Sequence, residues 1–250
     1  MSGLSVAFTE YFVVLVRTAA CVMVLPGFSM SQIAMQIRLY TAIALSICIY
    51  FLVYDSINLQ NNLSVPQLAH IIFSEVLLAF MIAIPIRILH LSLSFLGEVI
   101  MQMIGLNPIP GTPIGDTQAT TVLSSLFNMT AIVLFFSSGL FMGFVGGLAQ
   151  SFVTFPPGAV VGVDAFVETL SEDVSEFFRI VLRLMAPLLI FSIVMNVIAG
   201  MVNKLTPQIP VYFVSTPFLI CGGVMILTWV GDDMMLIFHV EMQNFIGRLF

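Results

Sequence analysis

The chain has 250 residues, of which 60% are hydrophobic and only 8% charged, with a formal net charge of −6. A soluble domain holds roughly 25% charged residues, so these proportions exclude a water-coated globule and point to an integral membrane protein. Seven basic residues in the whole chain exclude a nucleic-acid surface or a polybasic lipid anchor, both of which need Lys and Arg against phosphate.

The N-terminal run has no early Lys or Arg, and Glu10 and Arg17 interrupt it. A cleaved signal peptide has a basic start and a clean apolar core, so this run reads as a retained first helix. Six apolar blocks follow one another, at roughly 4–26, 33–54, 67–96, 122–150, 177–202 and 211–238. Each reaches the ~20 residues that cross a bilayer as a helix. Runs this long in hydrocarbon satisfy their backbone only as helices, so the predicted fold class is an all-α integral membrane protein in a single domain over 1–250.

The connectors differ. "GFSMSQ", opening with Gly27 after Pro26, predicts a tight hairpin of the first two helices. "DSINLQNNLSVPQ" is polar, with Asp55 its one charge, and Pro66 suits the start of the next helix. Pro85, near the middle of the long third block, predicts a kink or break. The stretch at about 105–121 is rich in Pro and Gly. Its prolines forbid a helix, and its glycines at 105, 111 and 115 supply bends. At membrane depth such a backbone is tolerated only inside protein or lining a water-filled cavity.

The connector at about 159–178 predicts an acidic amphipathic helix. Val163, Phe166, Val167, Leu170, Val174, Phe177 and Phe178 form an apolar stripe, while Asp164, Glu168, Glu172 and Glu176 recur every four residues opposite. A solvated face explains those acids; contact with a basic partner is the sharper reading. Orientation stays open, because Arg38, Arg87 and Lys204 fall near one side of a six-span chain and Arg179, Arg183 and Arg248 near the other.

No enzyme emerges from the motifs. His70, His90 and His239 are isolated, so HExxH is absent. Tyr54-Asp55 matches half of an aspartyl membrane-protease pair, but the Gly-Asp candidates at 115–116 and 231–232 lack the preceding glycine. Lys204 follows no glycine run, which excludes a P-loop. Asn107-Pro108 is half of a water-channel motif with no second copy. Cys21, Cys48 and Cys221 sit in apolar runs without a CxxC pair and are expected to be buried core residues. No metal or cofactor is implied.

Arg17, Glu75, Arg87, Glu98 and Arg183 lie inside apolar blocks, where each unpaired charge costs at least a few kcal/mol. Mutual pairing is the simplest expectation; an aqueous path or burial against other subunits are the others. A self-sufficient proton-coupled secondary transporter, with Glu75, Glu98 and Arg87 as its coupling site, is the alternative function. Gly139, Gly143 and Gly147, four apart, predict one side-chain-free helix face for close packing. Sixteen methionines fit adaptable packing as well.

The order of these features resembles the FliR family of flagellar export-gate proteins, whose superfamily includes virulence type III secretion counterparts. The resemblance spans essentially the whole chain. Its strongest part is "NKLTPQIPVYFVSTPF", with Asn203, Pro207, Gln208, Phe213 and Pro217; then come "GEVIMQMIGL", with Gly97-Glu98 and Gly105, and "TFPPG" at 154–158. Arg17, Pro26 and Arg38 suit the N-terminal pattern. Pro210 stands where asparagine is usual, Gln102-Met103 is displaced, and no aromatic occurs between Phe95 and Phe127.

The resemblance implies a non-enzymatic subunit of an export gate in the bacterial inner membrane, within the flagellar basal body. There it would assemble with FliP-like and FliQ-like subunits, joined by an FlhB-like partner, for passage of unfolded proteins. It implies that several helical blocks are bent hairpins packed against partners. It also implies a pore-closing role for the central loop, here Leu106, Asn107, Pro108, Ile109, Pro110, Gly111, Thr112, Pro113, Ile114 and Gly115. Leu106 and Ile109 are apolar, and this segment carries no Lys or Arg, so it would seal without offering a fixed charge to an ion.

Overall fold

A computed structural model describes residues 2–30, 33–54, 57, 64–106, 122–159, 163–208 and 210–249. The described residues form helices joined by turns, with no strand among them. In chain order the helices are α1 (Ser2–Val24), α2 (Met35–Val53), α3 (Val65–Met103), α4 (Val122–Ser137), α5 (Leu140–Thr154), α6 (Val163–Leu205) and α7 (Val211–Leu249). Among the described residues, five helices are long and apolar enough to cross a membrane. The pair α4 and α5 forms a sixth candidate, bent by 63°.

The all-helical membrane fold expected from the apolar blocks is therefore present, with boundaries redrawn in three places. Pro85 does not end α3, which continues as a helix from Val65 to Met103. Proline removes the hydrogen bond that the Met81 carbonyl would accept and crowds that carbonyl, and membrane helices tolerate this when neighbours or local adjustment compensate. Conversely, the block at 122–150 breaks at Ser138–Gly139, where Gly139 adopts φ 79° and caps α5. Rings of Phe135, Phe136 and Phe141 cluster around this corner with Phe28, at centroid separations of 5.2 to 6.4 Å. Finally, the acidic connector is no separate helix. It forms the first turns of the 43-residue α6, because nothing between Val163 and Leu205 interrupts helical hydrogen bonding except Pro187.

The chain divides into two compact units. The first comprises Met1–Leu89, Leu134–Val174 and Gln243–Phe250. Here α1 and α2 form the predicted hairpin, turning at Gly27 with φ 87°. Tyr11 of α1 meets Ser46 of α2 through their hydroxyls at 3.2 Å and stacks edge-on against Tyr50. Its core includes Val14, Ile49, Leu78, Phe135, Phe144 and Phe152. The second unit comprises His90–Val133 and Ser175–Met242, with Leu93, Leu96, Ile100, Phe127, Leu188 and Phe238 among its buried residues.

Candidate functional site

Two constellations stand out, one in each unit. In the first, Arg17 is completely buried and so is Glu75. An arginine cannot be neutralised by losing its proton, so it must be matched by partners. Arg17 Nε donates to Glu75 Oε2 at 2.5 Å and its NH2 to Glu75 Oε1 at 3.1 Å, a two-pronged pair. The same NH2 group donates to the Phe155 carbonyl at 2.9 Å, and NH1 donates to Ser151 Oγ at 3.1 Å. The Phe152 ring lies 3.9 Å from the guanidinium carbon, within cation–π range. Glu75 Oε1 also accepts from the Gly158 backbone N–H at 3.2 Å.

This node therefore ties α1, α3, α5 and the Phe155–Gly158 turn together. Gly158 has φ 82°, a left-handed conformation that glycine adopts without cost. A Cβ there would also lie 3.1 Å from Ile71. The "TFPPG" segment owes its composition to this turn: two prolines stop α5 and the glycine folds back onto Glu75. The expectation that charges in apolar blocks pair with each other holds for Arg17 and Glu75. Arg183 pairs instead with Glu241, at 2.6 Å, while Arg87 and Glu98 are exposed.

In the second unit lie the two roots of the central loop. At its N-terminal root, α3 stops in a Schellman arrangement: Leu106 N–H donates to the Met101 carbonyl and Gly105 N–H to the Gln102 carbonyl, at 3.0 and 3.3 Å. Gly105 holds the required positive φ of 74°. At the other root, α4 crosses α3 backbone to backbone. A Cβ at Gly97 would lie 2.7 Å from Ser124 Cα and 2.8 Å from its N. Ser124 Oγ donates to the Ser94 carbonyl at 2.9 Å and approaches Glu98 Oε1 at 3.4 Å. One step along the two helices, Asn128 Oδ1 accepts from His90 Nε2 at 2.8 Å and from Ser94 Oγ at 3.3 Å. His90, Ser94 and Glu98 are four apart and so share one face of α3. The result is a polar ladder between the two helices.

Of the residues singled out in the sequence, Arg17 lies in the node. Arg38 is half-buried and donates to the Met30 carbonyl, tying the α1–α2 turn. Gly139 is not on a helix face with Gly143 and Gly147, because it forms the corner between α4 and α5. On α5, Gly147 is buried and Gly143 exposed. Asn203 lies in the last turn of α6, and Pro207 and Gln208 in the turn before α7; all three are exposed. Leu106 is described and exposed, whereas Asn107 to Gly115 lie outside the described residues. Cys21 is buried as expected, but Cys48 and Cys221 are exposed. No group of His, Cys, Asp and Glu suited to a metal occurs among the described residues.

Sequence reasoning missed Ser151, the Phe155 carbonyl and Gly158 as partners of the node. It also missed Ser124 and Asn128 as partners across the α3–α4 crossing. The serine at 151 carries no local signal, whereas a PPG triplet after an apolar helix signals a turn.

Bacterial export proteins, family 1, match this chain over residues 8–245, which takes in both constellations. The chain belongs to that family. Among its relatives is flagellar biosynthetic protein FliR of Caulobacter vibrioides, 26% identical over 230 residues and covering 91% of each chain. FliR of Aquifex aeolicus is 28% identical, over 84% of this chain and 81% of its own. Yop proteins translocation protein T of Yersinia pestis, 25% identical over 83% of this chain and 80% of its own, is a counterpart from a virulence system. The match to this export family bears out the FliR-like resemblance carried by "GEVIMQMIGL", "TFPPG" and "NKLTPQIPVYFVSTPF".

Proposed function

We propose that this chain is a core membrane subunit of the flagellar type III protein export gate. It helps form the pore through which unfolded proteins leave the cytoplasm, and its loop at Leu106 to Gly115 helps close that pore at rest. The reading draws on membership of the export family and on relatives named as flagellar biosynthetic proteins. The observation that carries it is the loop's anchorage: a helix stop at Gly105 and a backbone-level crossing at Gly97 and Ser124 hold both roots. A proline-rich, uncharged loop on fixed roots suits a plug, whereas a linker would be polar and serine-rich.

The subunit acts without catalysis, in the bacterial inner membrane, with FliP-like, FliQ-like and FlhB-like partners. Large exposed apolar side chains on α7, such as Phe213, Met225 and Trp229, give such partners a surface. Arg38, Asn203, Pro207 and Gln208 serve assembly, as do the glycines of α5. A secondary transporter fits less well, because Glu75, which it would use for coupling, is occupied by Arg17 and Gly158.

The decisive experiment deletes residues 106–115 and measures ion leak through the assembled complex. Leak should rise while co-purification with the other membrane subunits persists. Unchanged conductance in an assembled deletion mutant overturns the plug role. A crosslinker at Ile109 should capture translocating substrate, and its consistent failure to do so would reduce the chain to a scaffold.

A further inference from the structure

The end of α3 before the central loop is gripped by a position that lacks a side chain. On α7, Gly222 and Gly223 are adjacent. A Cβ at Gly223 would lie 2.3 Å from Ile104 Cγ2 and 3.1 Å from Ile104 Cβ, and one at Gly222 would lie 2.4 Å from Phe191 Cζ. Ile104 is 2% exposed and branched at Cβ, so it has neither room nor rotamer freedom to step aside. The Ser192 hydroxyl of α6 donates to the Met103 carbonyl at 3.3 Å. By contrast, Gly200 on α6 and Gly231 on α7 would meet nothing within 4 Å if given a Cβ. Gly97 and Gly223 thus meet the loop's roots at less than contact distance, whereas Gly222 packs α7 against Phe191 of α6.

We propose that Gly223 and Gly97 are positioning residues that set where the central loop leaves α3 and where it joins α4. Gly223 is the socket for Ile104, which places the left-handed Gly105 and hence the direction in which Leu106 departs. Gly97 lets the α4 backbone lie directly on α3, which places Val122 to Ser124. A side chain at either glycine displaces one root relative to the other without touching the loop. The consequence for ion leak rests on the gate reading above; the positional claim stands without it.

The test places spin labels at Leu106→Cys and Val122→Cys, both exposed, in the full chain co-purified from membranes with its partners. Cys48 and Cys221 are replaced by alanine, and buried Cys21 is kept. Pulsed electron paramagnetic resonance should give a narrow distance distribution in the parent. In Gly223→Ala and Gly97→Ala it should be displaced and broadened, with raised ion leak per assembled complex; in Gly231→Ala it should be unchanged. Adding Ile104→Ala to Gly223→Ala should return the distribution to the parent's. An unchanged distribution in Gly223→Ala, or equal displacement in Gly231→Ala, overturns the proposal. If Gly223→Ala fails to fold, recovery of folded protein by Ile104→Ala upholds the socket and lack of recovery overturns it. If the labels move but deletion of 106–115 causes no leak, the gate reading fails and the positioning role stands.

Discussion

Two ion pairs of the same chemistry lead opposite lives in this chain. Arg17–Glu75 in the first unit and Arg183–Glu241 in the second have nearly equal separations, 2.5 and 2.6 Å. The first pair is wholly enclosed, whereas the Arg183 side chain is 60% exposed. The helices around them differ in the same sense. Half of the most apolar stretch of α3 is buried within the chain, against 6% of that of α7. A charge in an apolar block therefore says nothing by itself about depth. What decides is whether the chain brings its own partners, as around Arg17, or leaves a face for lipid or another subunit, as on α7.

The largest break in this contrast should come at the enclosed pair. Glu75→Leu strands Arg17 and should cost about 3–5 kcal/mol, read as loss of folded protein in a detergent thermal-unfolding assay. Arg17→Met with Glu75→Leu should recover most of that loss, since an apolar pair of similar volume is often neutral. A double variant as unstable as Glu75→Leu alone would contradict the node as described.

A smaller effect is expected at the corner between α4 and α5. A Cβ at Gly139 meets nothing within 4 Å, yet its φ is 79°, so Gly139→Ala should cost about 1–2 kcal/mol from backbone strain alone. Gly146→Ala, in open space within α5, should instead be neutral or stabilising by up to about 1 kcal/mol. The same unfolding assay separates the two, and equal effects would rule out a strained corner.

At the half-open pair, where the Arg183 side chain is 60% exposed and that of Glu241 13%, Glu241→Ala should cost clearly less than Glu75→Leu, on the order of 1 kcal/mol. The gentlest probe changes nothing in the chain. Maleimide should label Cys48 and Cys221 but not Cys21 in the isolated protein. If a partner covers α7 at Cys221, that thiol should lose labelling in the co-purified complex; equal labelling in both preparations would show that no partner covers this part of α7.

The existence and type of the helices were legible because apolar runs of this length have one backbone solution in hydrocarbon. Their limits were not, since hydropathy is blind to breaks inside an apolar run. Ser138–Gly139 breaks a block that reads as continuous, and Pro85 fails to break one that reads as interrupted. For the site, Arg17, Glu75 and Glu98 were visible as anomalies, and Gly97 and Gly105 through the family pattern. Their contacts were hidden, because a pairing over 58 residues leaves no periodic trace. The acids of α6 were legible as a face, but the apolar stripe opposite leaves Val167, Val174 and Phe178 exposed, a fact that turns on tertiary packing alone.

The Arg17 node also dictates a timetable. Arg17 of α1 precedes its partners in the chain: Glu75, Ser151 and the Phe155 carbonyl follow 58, 134 and 138 residues later. Until they arrive, α1 carries a lone cation worth about 2.5–3.5 kcal/mol against insertion at mid-membrane. α1 can therefore settle in its final place only once α3 and the turn after α5 have been synthesised.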